Sequence, residues 1–346
     1  MSSVAAAQTN LESDRPIPLV SFLDPIQADL AAVETKLNEE IRSDVRAAYA
    51  ISGHTLSAGG KRLRPAAVLL SARSVKNAFP SQTVYASASA VELIHMASLI
   101  HDDVVDNTDE RRGRPTANVI YGNQISVLVG DYLLAKSIYL AAREGVLEVI
   151  RIFSKVTVGL SEGEVLQITA QGDPNTSEET YFDIIKRKTA GFIAGCCEVG
   201  AVLSEASPVV RQALSDYGLS LGLAFQIADD LLDFLGDPKV TGKPRGSDLR
   251  EGKMTLPLIA AYRQLGDEDI RKEQIAGWIQ DPETLTPEAI EQVVATIHEF
   301  NGFEYARAAA VRQVAEAQSQ ITHLLPASQY RDSLCSLAEY ALGRTS

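Results

Sequence analysis

Residues 93–106 read LIHMASLIHDDVVD and residues 222–233 read GLAFQIADDLLD. In each, an apolar run ends in two adjacent aspartates, with a third placed four positions after the first: Asp102, Asp103 and Asp106 in one, Asp229, Asp230 and Asp233 in the other. The runs are too long for strands and do not alternate, so they read as buried helices. On a helix Asp102 shares a face with Asp106, and Asp229 with Asp233. Like charges at that spacing repel, and an apolar surrounding adds desolvation. A chain of ordinary composition holds about 0.08 such patterns by chance, so two of them point to a shared function rather than to solvated helix ends. Carboxylate-only sites suit hard cations, and Mg²⁺ characteristically joins one or two carboxylates to phosphate oxygens. The motifs therefore point to a diphosphate clamped between two aspartate walls by Mg²⁺.

Working outward, helical signals dominate. From Asp24, read as an N-cap with Pro25 at the first helical position, Ile26, Leu30, Val33, Leu37 and Ile41 form one stripe. A turn at 57–60 precedes a helix over 65–75. The segment 83–105 runs into the first acidic motif. Further helices are expected over 117–143, 146–169, 177–203, 207–235, 254–265, 268–279, 287–300, 303–325 and 328–342. Pro and Gly supply the punctuation, as at Gly113-Arg114-Pro115 and Gly236-Asp237-Pro238. No strand pattern of useful length, linker or repeat divides the chain. The expectation is a flexible tail over 1–20 and one all-α domain over 21–346.

Composition agrees. The 346 residues are 45% hydrophobic but only 6% aromatic, a balance suited to packed helices. Net charge is −13, which excludes a phosphate-backbone partner such as nucleic acid. Cys196, Cys197 and Cys335 make neither a disulfide framework nor a spaced metal site. The first residues, MSSVAAAQTNLESDRPIP, lack a basic region followed by an apolar run. With no stretch of about 18 uncharged apolar residues, a soluble cytoplasmic protein is expected.

Cations are concentrated locally. Gly59-Gly60-Lys61-Arg62-Leu63-Arg64-Pro65 is a glycine turn opening a helix, with three cations in four positions. Glycines allow close backbone approach, and helix N-termini favour anions. Arg111, Arg112 and Arg114 follow the first acidic motif; they either pair with it or grip phosphate oxygens beyond the metals. Lys186-Arg187-Lys188-Thr189, Lys243 and Lys253 flank the second motif. His95 lies two turns before Asp102, either as a satisfied core residue or as a phosphate ligand; His101 reads as packing.

Together GGKRLRP, ELIHMASLIHDDVVD, ERRGRPT, GNQISVLVGDYLLAKS, KRKTAGFIAGCCEVGA, GLAFQIADDLLDFLGD, GKPRGSDLREGKMTLPLI and YALGR resemble the trans-polyprenyl diphosphate synthases, the polyprenyl synthetase family, from about Asp24 to Arg344. The resemblance implies the all-α isoprenoid-synthase fold, a single large helical bundle around a central cavity, in a homodimer. It implies Mg²⁺ ions bound by Asp102, Asp106, Asp229 and Asp233, the first three as main ligands, with Asp103 and Asp233 in supporting roles. Asp102, Asp103, Asp106, Asp229, Asp230, Asp233, Lys188 and Lys243 are the catalytic set it implies. Isopentenyl diphosphate is assigned to Gly60, Lys61, Arg64, His95 and Arg112, and an allylic diphosphate to Arg111, Lys188, Thr189, Gln226, Lys243 and Lys253. The implied reaction is head-to-tail condensation by ionisation of the allylic diphosphate, attack by the isopentenyl double bond and loss of a proton.

Ser98 and Ala97, four and five residues before Asp102, are small, and Ile94 lies one turn further up. No aromatic plugs this face, which predicts a medium-to-long product, from hexaprenyl to decaprenyl. Leu133 and Leu134 are the candidates for an alternative floor, which would make a short-chain farnesyl or geranylgeranyl enzyme. A class I terpene cyclase would need one acidic motif of this form and no GGKRLRP. A non-catalytic subunit of a heteromeric prenyltransferase would show eroded motifs, whereas these are intact.

Overall fold

The stripe Ile26, Leu30, Val33, Leu37 and Ile41 is buried along its length in the computed structural model of the chain, which describes residues 21–79, 81–236 and 245–343. The helix it lines begins later than its sequence signals. Asp24 and Pro25 lie in a 3₁₀ turn, Ser21–Ile26, and α1 spans Gln27–Glu40. The tighter turn takes up the proline, whose missing N–H removes a hydrogen-bond donor. The chain divides into two compact units, Met1–Leu69 with Pro80–Ile150 and Leu70–Phe79 with Arg151–Ser346.

The first unit contains α1, α2 (Arg46–Ser57), the start of α3 (Leu63–Val75), α4 (Ser81–Val105), α5 (Ala117–Tyr121), α6 (Asn123–Arg143) and the start of α7 (Leu147–Ala170). Sequence patterning did not reveal α2, whose buried positions include small and polar residues, Ala48, Ser52 and Gly53. The expected helix over 117–143 is two helices, because Gly122 adopts φ +86° between them, a conformation favouring glycine. A hairpin of two-residue strands, β1 (Glu110–Arg111) and β2 (Arg114–Pro115), joins α4 to α5. Its turn residues, Arg112 and Gly113, both have positive φ, 54° and 73°, as a type I′ turn requires. Helix α4 packs along α6 and α1. Both α4 and α6 are long and apolar enough to cross a membrane by length and composition, which the sequence reading did not anticipate. Most of the apolar stretch of α4 (72%) is buried inside the protein, as in a core helix, against 39% in α6.

The second unit holds the rest of α7, then α8 (Glu178–Ile185), α9 (Gly191–Leu203) and α10 (Pro208–Leu235). These are followed by α11 (Ser247–Arg250), α12 (Leu256–Tyr262), α13 (Ile270–Gln280), α14 (Pro287–Glu299), α15 (Gly302–Thr322) and α16 (Gln329–Gly343). Helix α10 begins with Ser207 as N-cap, its hydroxyl accepting Val210 N–H, and Pro208 in the first turn. It packs against α9 and α15, and Ile227, Leu231 and Phe234 join Leu256, Ile297 and Phe303 in one core. Gly302 allows a close approach: a Cβ there would collide with the Pro257 carbonyl oxygen. The helix expected over 177–203 is interrupted by a π-helical turn, Lys186–Ala190.

Candidate functional site

In the first unit, the C-terminal end of α4 brings Asp102, Asp103 and Asp106 beside the β1–β2 hairpin. Asp103 is buried, and Arg111 Nη2 and Nε both lie 2.8 Å from its Oδ1. Burial raises its pKa, against the Arg111 charge that lowers it. Arg111 thus pairs with the motif, one of the two readings its position allows. Asp102 is half-buried and Asp106 exposed, which leaves the outer carboxylates facing solvent while the middle one ties the helix end to the hairpin. Asn118 Nδ2 donates to the Asp103 carbonyl at 3.2 Å, and Thr116 Oγ1 to the Thr108 carbonyl at 2.6 Å.

The glycine turn is held by the same hairpin. Arg112 donates to the Gly59 carbonyl, Arg114 to the Ser57 carbonyl at 3.1 Å, and a Cβ at Gly60 would stand 3.1 Å from Arg112 Nη1. The three cations of the turn have separate fates. Arg62, with φ +50°, is buried; its guanidinium pairs with Glu34 and, at 2.9 Å, with Glu92, and donates to the Leu56 carbonyl at 3.2 Å. Burial would lower its pKa, but the two carboxylates raise it above its ordinary value. Lys61 and Arg64 remain half-buried. His95 sits among Arg62, Arg64, Arg111 and Arg112; burial first, then these charges, holds its pKa well below the ordinary imidazole range, so the ring is neutral. Its Nδ1 is shielded from solvent and has no hydrogen-bond partner among the described residues. A buried polar atom without a partner is unfavourable, and one that feels the charge of four guanidinium groups fits an anion. His101 Nε2 approaches the Val127 carbonyl at 3.1 Å and Asp131 at 3.4 Å, in a space that Gly130 leaves open.

In the second unit the last turns of α10 repeat the pattern. Asp230 is buried and receives Tyr181 O–H at 2.6 Å and Gln226 Nε2 at 2.9 Å. Burial and the nearby Asp248 charge push its pKa well above the carboxylate range. Asp229 is exposed. Asp233 accepts Ser247 N–H at 3.0 Å, the Ser247 hydroxyl and Asp248 N–H at 3.2 Å, and so fastens the segment after the helix. From the π turn, Thr189 Oγ1 donates to Gln226 Oε1 at 3.0 Å and Lys188 Nζ meets Glu164 at 2.5 Å. Lys253 pairs with Glu251. Lys243 lies outside the described residues.

Arg114, read from the sequence with the cations beside the acidic motif, instead braces the glycine turn at Ser57, and sequence reasoning missed Tyr181 and Glu164 as site supports. Two acids, Glu162 and Glu164, in the largely apolar VGLSEGEVLQI of α7 are the signal that could have drawn attention to Glu164; Tyr181 carried none.

Taken separately, each helix end offers carboxylates fixed by a buried neighbour, a donor chemistry that fits Mg²⁺ with diphosphates. The chain matches the sequence profile described as Polyprenyl synthetase over residues 45–297. It is 39% identical over 327 residues, 93% of this chain and 97% of the other, to an all-trans-nonaprenyl-diphosphate synthase (geranyl-diphosphate specific) of Rhodobacter capsulatus. The crystal structure of a decaprenyl diphosphate synthase from Rhodobacter capsulatus superposes with a TM-score of 0.88 at 37% identity, covering 94% of this chain and 98% of that one. That of a polyprenyl synthase from Caulobacter crescentus CB15, complexed with calcium and isoprenyl diphosphate, gives 0.87 at 35% identity, covering 94% and 97%.

Proposed function

Because the chain belongs to the polyprenyl synthetase family, we propose that it is a prenyltransferase condensing isopentenyl diphosphate with an allylic diphosphate. The product is a medium-to-long all-trans polyprenyl diphosphate. The observation that carries this reading is the neutral, partnerless His95 Nδ1 among arginines, on the same helix as Asp102 and Asp106. It supports an anion subsite beside a carboxylate pair.

Lys61, Arg64, His95 and Arg112, with Gly60 permitting close approach, hold the isopentenyl diphosphate. Arg111, Lys188, Thr189, Gln226, Lys243 and Lys253 hold the allylic diphosphate. Asp102, Asp106 and Asp229, with Asp103 and Asp233 in support, would hold Mg²⁺, which when bound would supply Lewis-acid stabilisation of the departing diphosphate. The cations share that task by stabilising charge that grows as the allylic C–O bond breaks. The apolar flank of α4 keeps water from the resulting carbocation.

Product length is assigned to Ala97, Ser98 and Ile94. Ala97 and Ile94 are buried, and Ser98 turns its hydroxyl back to the His95 carbonyl at 2.9 Å. None has an aromatic side chain to block chain growth. The nonaprenyl and decaprenyl relatives support the longer product class. Exposed Ile125, Leu128 and Tyr139 on α6 support a homodimer. A cytoplasmic location, with the lipophilic product released at a membrane, completes the reading.

Incubating the purified protein with isopentenyl diphosphate, farnesyl diphosphate and Mg²⁺, then chromatographing the dephosphorylated products, tests it. Chains between hexaprenyl and decaprenyl are expected; no elongation would overturn the proposal.

A further inference from the structure

One wide turn interrupts the helix carrying Lys188 and Thr189. The Gly191 N–H returns to the Lys186 carbonyl, five residues back. The buried stripe of Tyr181 and Ile185 resumes at Ala190, five positions on instead of four. One inserted residue rotates the helix beyond it by about 100°. Such turns persist only where their surroundings hold them.

Here they are held from two sides. A Cβ at Gly163 on α7 would stand 2.7 Å from the Lys188 backbone nitrogen and 2.9 Å from Arg187 Cβ. A Cβ at Gly222 on α10 would collide with Ala190 Cα. Each glycine has a gripping side chain close by in sequence. Next to Gly163, Glu164 Oε2 meets Lys188 Nζ at 2.5 Å. One turn after Gly222, Gln226 Oε1 accepts from Thr189 and its Nε2 donates to Asp230.

We propose that Glu164 is a positioning residue for Lys188: seated by the Gly163–Gly222 cradle, its carboxylate orders the Lys188 ammonium before the allylic diphosphate arrives and so sets affinity for that substrate. The inference rests on the prenyl-transfer reading above. An ammonium has three donors, so one carboxylate contact leaves others for phosphate oxygens. A lysine loses much rotamer freedom when fixed, and the Glu164 pair moves that loss from binding to folding. The two side chains are only 23% and 20% exposed, so water and salt screen the pair little.

The test is a double-mutant cycle on the full chain, with farnesyl diphosphate and Mg²⁺ as the calorimetric probe. Glu164→Gln raises the Kd for farnesyl diphosphate about three- to tenfold, while the KM for isopentenyl diphosphate stays within about twofold. In the Lys188→Ala background the same substitution adds nothing, since its partner is already gone. An unchanged Kd in Glu164→Gln, or an equal loss in both backgrounds, overturns the positioning role while leaving the prenyl-transfer reading intact. A wild-type protein that neither binds farnesyl diphosphate nor elongates it overturns both.

Discussion

Replacing Arg62 with methionine separates a structural cation from its ligand-binding neighbours. Arg62 is buried, and its guanidinium satisfies Glu92, itself 3% exposed, together with Glu34 and the Leu56 carbonyl. Methionine fills similar space but leaves the Glu92 carboxylate buried without its ion-pair partner. Breaking one partner of a buried pair typically destabilises by about 3–5 kcal/mol, a large share of the roughly 5–15 kcal/mol that holds a domain folded. Urea unfolding followed by helical circular dichroism should therefore show a markedly lower midpoint for Arg62→Met. Adding Glu92→Leu should recover much of the loss, because the stranded charge is removed with its partner. Per folded molecule, the KM for isopentenyl diphosphate should stay close to wild type, whereas Lys61→Ala should raise it by the roughly 1.5–3 kcal/mol of a charge-assisted contact. An Arg62→Met protein of normal stability with a raised isopentenyl KM would refute the assignment and place Arg62 in the phosphate site.

Three further outcomes follow from the same geometry. EDTA should abolish turnover and Mg²⁺ restore it, with Asp102→Ala or Asp229→Ala lowering kcat by several orders of magnitude; near-normal rates in either variant would contradict the metal assignment. Ala97→Phe or Ser98→Tyr should shift products to farnesyl or geranylgeranyl length with turnover kept, read by product chromatography; a wild type already stopping there would defeat the open-face argument. Glu40 is almost buried; burial raises its pKa, but Arg143, Lys36 and Lys136 outweigh this and lower it. Its contribution to stability is thus complete above the unfolded value of about 4.3 and is lost as pH falls through the lower folded value. The difference in urea midpoint between wild type and Glu40→Gln should shrink on acidification below about pH 4.3; a pH-independent difference would refute the linkage.

What the sequence made legible is what repeats locally. The α1 stripe and the acidic helix ends follow from helical periodicity, and the positive φ at Gly122, which cuts one expected helix in two, sits at a residue whose identity allows it. The π turn left little compositional trace, because Lys186-Arg187-Lys188-Thr189-Ala190 is acceptable α-helical sequence. Its only sign is that the apolar stripe slips by one position after Ile185, and its cause lies in glycines of two other helices, Gly163 and Gly222. Arg62 and Arg64 are likewise indistinguishable by type and nearly by position. What separates them is a left-handed backbone at Arg62 and two carboxylates 28 and 30 residues away, neither of which spacing alone reveals.

The doubled aspartates show how much of that hidden part was within reach. Asp230 falls on the same stripe as Ile227, Leu231 and Phe234 and is buried with them, while Asp229, about 100° round the helix, is exposed. Asp103 repeats this beside exposed Asp106. In each motif a partner from another segment secures the buried carboxylate: Arg111 from the hairpin for Asp103, Tyr181 from α8 for Asp230. A helix end bearing only exposed carboxylates would be pushed apart by their repulsion and frayed by water. A buried acid beside them, hydrogen-bonded to a different element, fixes the last turn so that the outer carboxylates are already placed when a cation arrives. The pairing of adjacent aspartates is thus one device, with one member holding the helix end and the other left toward solvent, where the proposed metal would meet it.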